Sequence, residues 1–588
     1  MDSKHVTEST SGQEDIQKTW WKEAIIYQIY PRSFQDSDGD GIGDLNGITS
    51  RLDYIQSLGV DIIWLNPIFL SPNDDNGYDI SDYREIMREF GTMEDFDRLL
   101  KEIHKREMRL VLDLVVNHTS DEHPWFEEAR KSRHNPYYNY YHWWPAEKGE
   151  PPLRLSYFDE EGNAWMYNKS TDSYYLHYFS RKQPDLNWEN PEVRQEIFDM
   201  MRFWFDKGID GFRMDSISLI AKDPSFPLID SKKYPDIFSF YAKEPRLHLY
   251  LHEMNRQVLS KYDCMSVGEG SAVMVDDVAK FVDPAREELN MLYHFDAARI
   301  RNTTLPDNPE SGIDYSLIAL KKMFTEWDKA VDKGWPSIYL GNHDQPRMVS
   351  RFGSGKDEFR ALSAKMLITF LLTMRGTPYW FAGDEIGMRN IRFDRIEDYN
   401  DIDTINRYKK AKAEGKDPQA VLDEQKETGR DNARTPFQWD RSPETGFTAG
   451  TPWLKVNPDY TWINVADEEK DPTSILNYFK KVVSFRKENP SLIYGSYHLL
   501  DAENPQSYTF LRKTGADTYL IMLNFSPKAA ISTPGIDMSN AHVLLDNYGD
   551  RSHMAPQKDI TLRPFEAIVF QLNHPVYESF IDSLDLLE

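Results

Sequence analysis

What most constrains this chain is a recurring pattern: a short apolar run, an amphipathic stretch, then another apolar run. The runs cover residues 24–30, 60–65, 110–116, 209–215, 265–269, 337–344 and 378–385. Segments apolar on both faces suit strands of a parallel sheet that is covered on both sides. Helical spacing lies between them, as over 92–106 and 191–207, and Thr92 suits an N-cap with acidic residues behind it. Repeated β-then-α units over this length predict an α/β fold, a (β/α)8 TIM barrel.

Two stretches break the rhythm. Residues 119–188 are dense in Tyr, Trp, Pro and Asn and read as a subdomain inserted after the third strand. After about residue 490 the pattern becomes alternating strands with turn signals, at 507–511, 518–524 and 567–572, which predicts a C-terminal antiparallel β-sandwich. The expected organisation is a disordered tail over 1–18, a barrel over 19–118 and 189–494, an insertion over 119–188 and a sandwich over 495–588. Residues 398–430 read as a charged helical excursion before the last barrel helix. Length alone, 588 residues at roughly 150 per domain, would suggest about four units, but a closed barrel absorbs about 250 or more.

Composition narrows the function. The chain has 69 Lys+Arg against 96 Asp+Glu, a net charge of -27, which disfavours nucleic acid and anionic membranes as partners. Its 15 Trp, 32 Tyr and 31 Phe argue against disorder. The single Cys264 excludes an internal disulfide. Residues 1–18 lack the apolar stretch of a signal peptide, and the run 366–374 is about half a bilayer span. These features predict a cytoplasmic protein, a monomer or weak dimer, with no membrane partner.

In a parallel barrel, chemistry sits where strands end. Asn117 and His118 close the third strand, Arg213 and Asp215 the fourth, Glu269 the fifth, and His343 and Asp344 the seventh. A lone carboxylate there is a cap or an ion-pair partner. Three of them beside one Arg and two His crowd like charges, a cost typical of functional sites. With no metal or nucleotide motif among them, they suggest glycoside chemistry. Retaining cleavage needs an ionised nucleophile and a protonated general acid, with carboxyls about 5–5.5 Å apart.

The motifs Asp113-Leu114-Val115-Val116-Asn117-His118, Gln183-Pro184-Asp185-Leu186-Asn187-Trp188 and Gly211-Phe212-Arg213-Met214-Asp215 carry a family resemblance. Val267-Gly268-Glu269, Asn342-His343-Asp344 and Arg430-Asp431-Asn432-Ala433-Arg434-Thr435-Pro436 extend it. The sequence resembles an α-glucosidase of the α-amylase family (glycoside hydrolase family 13), in the branch of oligo-1,6-glucosidases and sucrose isomerases. The likeness runs from about Trp20 to the end.

The resemblance implies roles. Asp215 matches the nucleophile, Glu269 the general acid/base, and Asp344 the carboxylate that holds the sugar 2- and 3-hydroxyls. Arg213 matches the partner of the nucleophile, and His118 and His343 match donors to sugar hydroxyls. Asp79 and Arg434 resemble the pair that binds the terminal 4-hydroxyl and closes the pocket, which implies exo action. Tyr78 resembles the aromatic platform. Phe179 and Gln183 resemble pocket residues, although Phe179 also reads as core and Gln183 as a loop hydrogen-bonder.

Asp36-Ser37-Asp38-Gly39-Asp40-Gly41-Ile42-Gly43-Asp44 has calcium-loop spacing, but Gly47 stands where a bidentate Glu would be expected. The resemblance implies structural Ca²⁺ held by Asp36, Asp38, Asp40, the Ile42 carbonyl and Asp44. An Asp/Gly surface turn is the alternative.

Some positions depart from the branch. Ser216 follows the nucleophile where α-1,6-preferring relatives carry Val, and Gly270 follows Glu269; both open the aglycone side. Residues 299–303 read Arg-Ile-Arg-Asn-Thr where sucrose isomerases carry Arg-Leu-Asp-Arg-Asp, and Gln345 follows Asp344 as in the hydrolases. The expected substrates are short α-glucosides such as isomaltose, maltose, sucrose or its isomers. Hydrolysis is favoured over isomerisation or glucosyl transfer by the same intermediate. A third class, the amylase-like heavy chains of amino-acid transporters, needs a membrane anchor and has lost the carboxylates that this chain keeps.

Overall fold

Eight short strands form one parallel sheet: β1 (Ile26–Ile29), β2 (Ile62–Leu65), β3 (Arg109–Val115), β4 (Gly211–Asp215), β5 (Met265–Glu269), β6 (Met291–Tyr293), β7 (Ser337–Ile338) and β8 (Thr377–Phe381). The computed structural model describes residues 18–158, 163–230, 232–234, 238–300, 316–515, 517–538, 541–551 and 558–572. The tail expected over 1–17 lies outside the described residues, as do Arg301, Asn302 and Thr303 of the isomerase comparison.

Strand order is β6-β5-β4-β3-β2-β1-β8-β7. The seam between β6 and β7 is held by side chains: Ser337 Oγ donates to the Leu292 carbonyl at 2.6 Å, and the Tyr339 hydroxyl donates to the His294 carbonyl. β6 is the strand that periodicity does not reveal, because three residues are too few for a pattern.

Alternation explains the apolar runs. Ile26, Ile62, Trp64, Val111, Met265, Val267 and Tyr293 fill the barrel interior. Their neighbours Ile25, Tyr27, Ile63, Leu110, Leu112 and Phe212 pack outward with the helices. The same period of two sends Gln28, Asp113, Arg213, Asp215 and Glu269 inward at the upper end.

Helix Met93–Lys105 starts on a capping box between Thr92 and Asp95. Helix Pro191–Lys207 starts on the Asn190 cap and ends at Gly208, whose φ of 108° closes the turn without Cβ strain. In the insertion, Trp143–Pro145, Trp165–Asn168 and Ser173–Leu176 form a three-stranded antiparallel sheet. The bridge His118–Asp185 fastens this segment to the end of β3, and Tyr141–Leu186 ties two parts of the segment together. Helices Ile402–Ala413 and Pro418–Thr428 lead into Arg430.

The C-terminal part holds a five-stranded antiparallel sheet in the order Ser496–Leu500, Ser507–Thr514, Asp517–Asn524, Ala567–Leu572 and His542–Asp546. Ala530–Ser532 pairs with Ile560–Leu562 in a second sheet. Among the described residues no helix is long and apolar enough to cross a membrane. The apolar run noted at 366–374 belongs to barrel helix Asp357–Thr373.

Candidate active site

Register creates the centre of the site. β3 and β4 pair Asp113 with Arg213, and Asp215 follows two residues on along the same face. Arg213, wholly buried, donates from Nη1 to Asp113 Oδ1 at 2.7 Å and to Asp215 Oδ1 at 2.8 Å. Its Nη2 donates to Glu269 Oε2, and its guanidinium lies 5.2 Å from the Trp64 ring. One cation therefore serves three carboxyls. Asp113 is a member of the centre that strand-end reasoning passed over, because it lies inside β3 and not at its end.

Asp75, Tyr78, His118, Phe158, Phe179, Asp215, Ser216, Glu269, Asp344 and Arg430 line one pocket of about 360 Å³. Ser216 sits at φ 43°, a left-handed conformation uncommon for a residue with a Cβ and typical of functional turns.

Asp344 Oδ1 accepts from Arg434 Nη2 at 2.9 Å and from Arg430 Nη1 at 3.2 Å, while its Oδ2 lies 3.1 Å from His343 Nε2. The His343 and Tyr78 rings stack 5.4 Å apart, at 5°. His343 is thus packed behind Tyr78 and Asp344. His118 reaches the pocket wall next to Phe179, at 5.1 Å between rings, and Phe179 stacks on Tyr157 at 5.0 Å.

The pair expected to close the pocket is corrected. Asp79 is fully buried and accepts from Ser71 Oγ at 3.0 Å, Asp74 N at 2.9 Å and Asp75 N at 3.1 Å. Its carboxylate is used up by the loop it ties. Arg434 is committed to Asp344 and to the His343 carbonyl, 2.9 Å away. The facing pair is Asp75 with Arg430, 3.4 Å apart, and both line the pocket. Arg430 also bridges to Asp401 at 2.6 Å and covers the Phe158 ring at 5.0 Å. Gln183 lies behind this pair and donates to Asp75 Oδ2 at 3.3 Å. Three acidic residues, Asp74, Asp75 and Asp79, crowd one loop, and spacing alone could not choose among them. Only the direction of the chain decides.

The sequence profile of the α-amylase catalytic domain matches residues 28–495. The chain belongs to the α-amylase family. It is a glycoside hydrolase. It is 51% identical over 571 residues to an oligo-1,6-glucosidase of Parageobacillus thermoglucosidasius, covering 95% of this chain and 100% of that protein. The oligo-1,6-glucosidase of Bacillus cereus is 48% identical over 95% of this chain and 100% of its own length. Among solved structures, trehalulose synthase from Pseudomonas mesoacidophila MX-45 superposes with a TM-score of 0.90 at 42% identity, covering 94% of this chain and 99% of that one.

Electrostatics divide the carboxyls of this α-amylase-family site. Burial pushes Glu269 up to about 8, and the Arg213 guanidinium, shared among three carboxyls, does not cancel it. Burial raises Asp215 and Asp113 less, each to about 6, against the pull of Arg213. Burial also acts on Asp344, but His343, Arg430 and Arg434 override it and hold that carboxyl well below the usual range. The site therefore keeps one proton near neutrality, on Glu269.

A contrast of variants separates the two loop acids. Asp75→Asn is expected to reduce kcat/KM by about 100-fold or more with little change in unfolding temperature, since a charged partner of the pocket Arg430 is lost. Asp79→Asn is expected to leave KM alone and to cost about 1–3 kcal/mol of stability, because an amide cannot accept all three donors. Steady-state kinetics and thermal unfolding of both variants check this.

The metal loop has partial convergence. Carboxylate oxygens of Asp36, Asp38 and Asp40 lie within 4.8 Å of one another. Burial and the nearby Asp38, Asp36 and Asp44 raise Asp40, a charge excess that a divalent cation would relieve. Asp44 instead caps helix Leu45–Ser50, accepting from Gly47 N at 2.7 Å, and its other oxygen accepts from Ser37 N at 2.7 Å.

Proposed function

We propose that this chain is a retaining exo-α-glucosidase that releases terminal glucose from short α-glucosides. The observation that carries the reading is the centre in which one Arg213 holds a less raised Asp215 beside a strongly raised Glu269. Asp215 attacks the anomeric carbon while Glu269 gives its proton to the departing glycosidic oxygen, forming a β-glucosyl ester. Glu269, now ionised, takes a proton from water, which displaces Asp215 and returns the α-anomer. Asp344, kept ionised, faces the charge that develops on the ring. Tyr78 forms the platform, and Asp75 with Arg430 closes the far end, which supports action at chain ends.

Substrate breadth follows from Ser216, which lines the pocket beside the nucleophile, whereas Gly270, expected to open the same side, faces buried Leu292 instead; isomaltose, maltose, sucrose and isomaltulose are the proposed range. The test is kcat/KM across that panel with NMR of the first-formed anomer. Glucose released as the α-anomer supports the reading, and β-glucose overturns it. A sucrose isomerase or glucosyltransferase using the same intermediate is the second reading, favoured by the 42% identity to a trehalulose synthase. Sucrose separates the two: free glucose and fructose support hydrolysis, isomaltulose or trehalulose the isomerase.

The convergent acids support structural Ca²⁺ at Asp36, Asp38 and Asp40, with the Ile42 carbonyl and Asp44 as further ligands. Chelation is expected to lower the unfolding temperature by about 3 °C or more, and added Ca²⁺ to restore it, with kcat at low temperature unchanged. Calorimetry with and without chelator checks this. The proposed oligomeric state is a monomer or weak dimer. A cytoplasmic location accords with the single unpaired Cys264.

A further inference from the structure

The protons around Tyr78 have one consistent arrangement. The Tyr78 hydroxyl lies 3.1 Å from Asp113 Oδ2, 2.7 Å from Asn66 Nδ2 and 2.7 Å from His343 Nε2. It has one proton to give, and a carboxylate only accepts. Arg213, 2.7 Å from Asp113, favours the ionised form, so the phenol proton goes to Asp113. Asn66 and His343 must then both donate to the phenol oxygen. With its Nδ2 toward Tyr78, Asn66 turns Oδ1 to Gln28 Nε2, 2.9 Å away. That orients the Gln28 amide, whose nitrogen also donates to His343 Nδ1 at 2.8 Å. The His343 proton therefore sits on Nε2, between the phenol oxygen and Asp344 Oδ2 at 3.1 Å.

His118 is fixed from the opposite side, by a group that only donates. Lys222 Nζ lies 2.6 Å from Asn117 Oδ1 and 3.0 Å from Asp185 Oδ2. Asn117 must then present Nδ2 to His118 Nδ1, 3.1 Å away, which puts the His118 proton on Nε2, donating to the Tyr78 carbonyl at 2.9 Å. Gln183, whose Oε1 accepts from Ser180 N at 2.9 Å, aims its Nε2 at the same carbonyl, 3.2 Å away, so this amide and His118 Nε2, 3.2 Å from each other, share the Tyr78 carbonyl as acceptor. Burial lowers both imidazoles to about 3, so each is neutral and carries one proton to be placed.

We propose that Gln28 and Lys222 are positioning residues that commit His343 and His118 to the neutral Nε2–H tautomer, so that the two rings hold Tyr78 by its phenol and its carbonyl. Neither residue lines the pocket. Gln28 is 1% exposed inside a barrel strand, a place where an amide is retained only with its hydrogen bonds made. The opposite tautomer of His343 would set an N–H against the Gln28 amide and a bare nitrogen lone pair against the Asp344 carboxylate. Through His343 the same commitment steadies Asp344.

Neutron diffraction from the deuterated full chain is the direct test. Deuterons on Nε2 and none on Nδ1 of His118 and His343 are expected; a deuteron on Nδ1 of either ring overturns the assignment. The kinetic consequence rests on the glucosidase reading, whereas the proton positions do not. Gln28→Met, hydrolysing p-nitrophenyl α-glucoside, is expected to lose about tenfold or more in kcat with KM changed less than about threefold. Its ¹⁵N-histidine spectrum should show His343 no longer held as the single Nε2–H form. An unchanged kcat, or an unchanged His343 spectrum, overturns the role of Gln28. Should Gln28→Met not fold, the neutron result on the parent chain decides.

Discussion

Asp215→Asn leaves a folded protein with about 10⁻⁴ of the parental kcat or less, as expected when a covalent nucleophile is removed from a double displacement. The fold survives because the asparagine carbonyl can still accept from Arg213 Nη1, now 2.8 Å from Asp215 Oδ1. Removing one of three carboxyls around a single guanidinium also relieves like-charge crowding, so the unfolding temperature should hold or rise. Asp215→Ala goes further: azide entering the vacated space should rescue turnover of an activated α-glucoside and yield the β-glucosyl azide. Steady-state rates, thermal unfolding and product NMR check these outcomes. Normal turnover in Asp215→Asn would remove Asp215 from the mechanism.

The barrel was legible because seven of its strands are buried on both faces and read as apolar runs. β6, three residues long, was not, since no period fits in Met291–Tyr293. Helix starts were legible where capping chemistry is local, as at Thr92, whose partner Asp95 is three residues away. Asp215 and Glu269 were legible because each ends an apolar strand, and Asp344, in the turn past β7, because motif order adds weight. The pocket rim was not. Asp75 and Arg430 are 355 residues apart and meet only because helices Ile402–Ala413 and Pro418–Thr428 fold back over the barrel mouth. A motif brings Arg430 and Arg434 together in sequence, but which guanidinium reaches the pocket depends on the turn Arg430–Asn432. Asp113 and Gln28 were hidden for another reason: single polar residues within apolar strands read as exceptions until the interior they share is seen.

Glu269→Gln is expected to show the largest change in pH behaviour. In the parent, the acid limb of kcat/KM reports Asp215, raised to about 6, and the alkaline limb reports Glu269, raised to about 8. Below the first value Asp215 gains a proton and cannot attack; above the second Glu269 has lost the proton it must give. The profile should therefore be a bell with its top between them, its limbs belonging to the coupled group around Arg213. Gln has the shape of Glu and keeps a donor and an acceptor for Arg213 and Ser271, so the pocket persists. It can neither supply nor receive a catalytic proton, and unactivated disaccharides should lose about 10³–10⁴-fold in kcat. α-Glucosyl fluoride, whose leaving group needs little protonation, should keep most of its kcat/KM while the β-glucosyl ester accumulates, because water then lacks its base. With Glu269 gone the alkaline limb should vanish while the acid limb stays near its parental midpoint, since Glu269 already carries its proton where Asp215 titrates. An alkaline limb that persists at the same midpoint in Glu269→Gln would place the general acid on another residue.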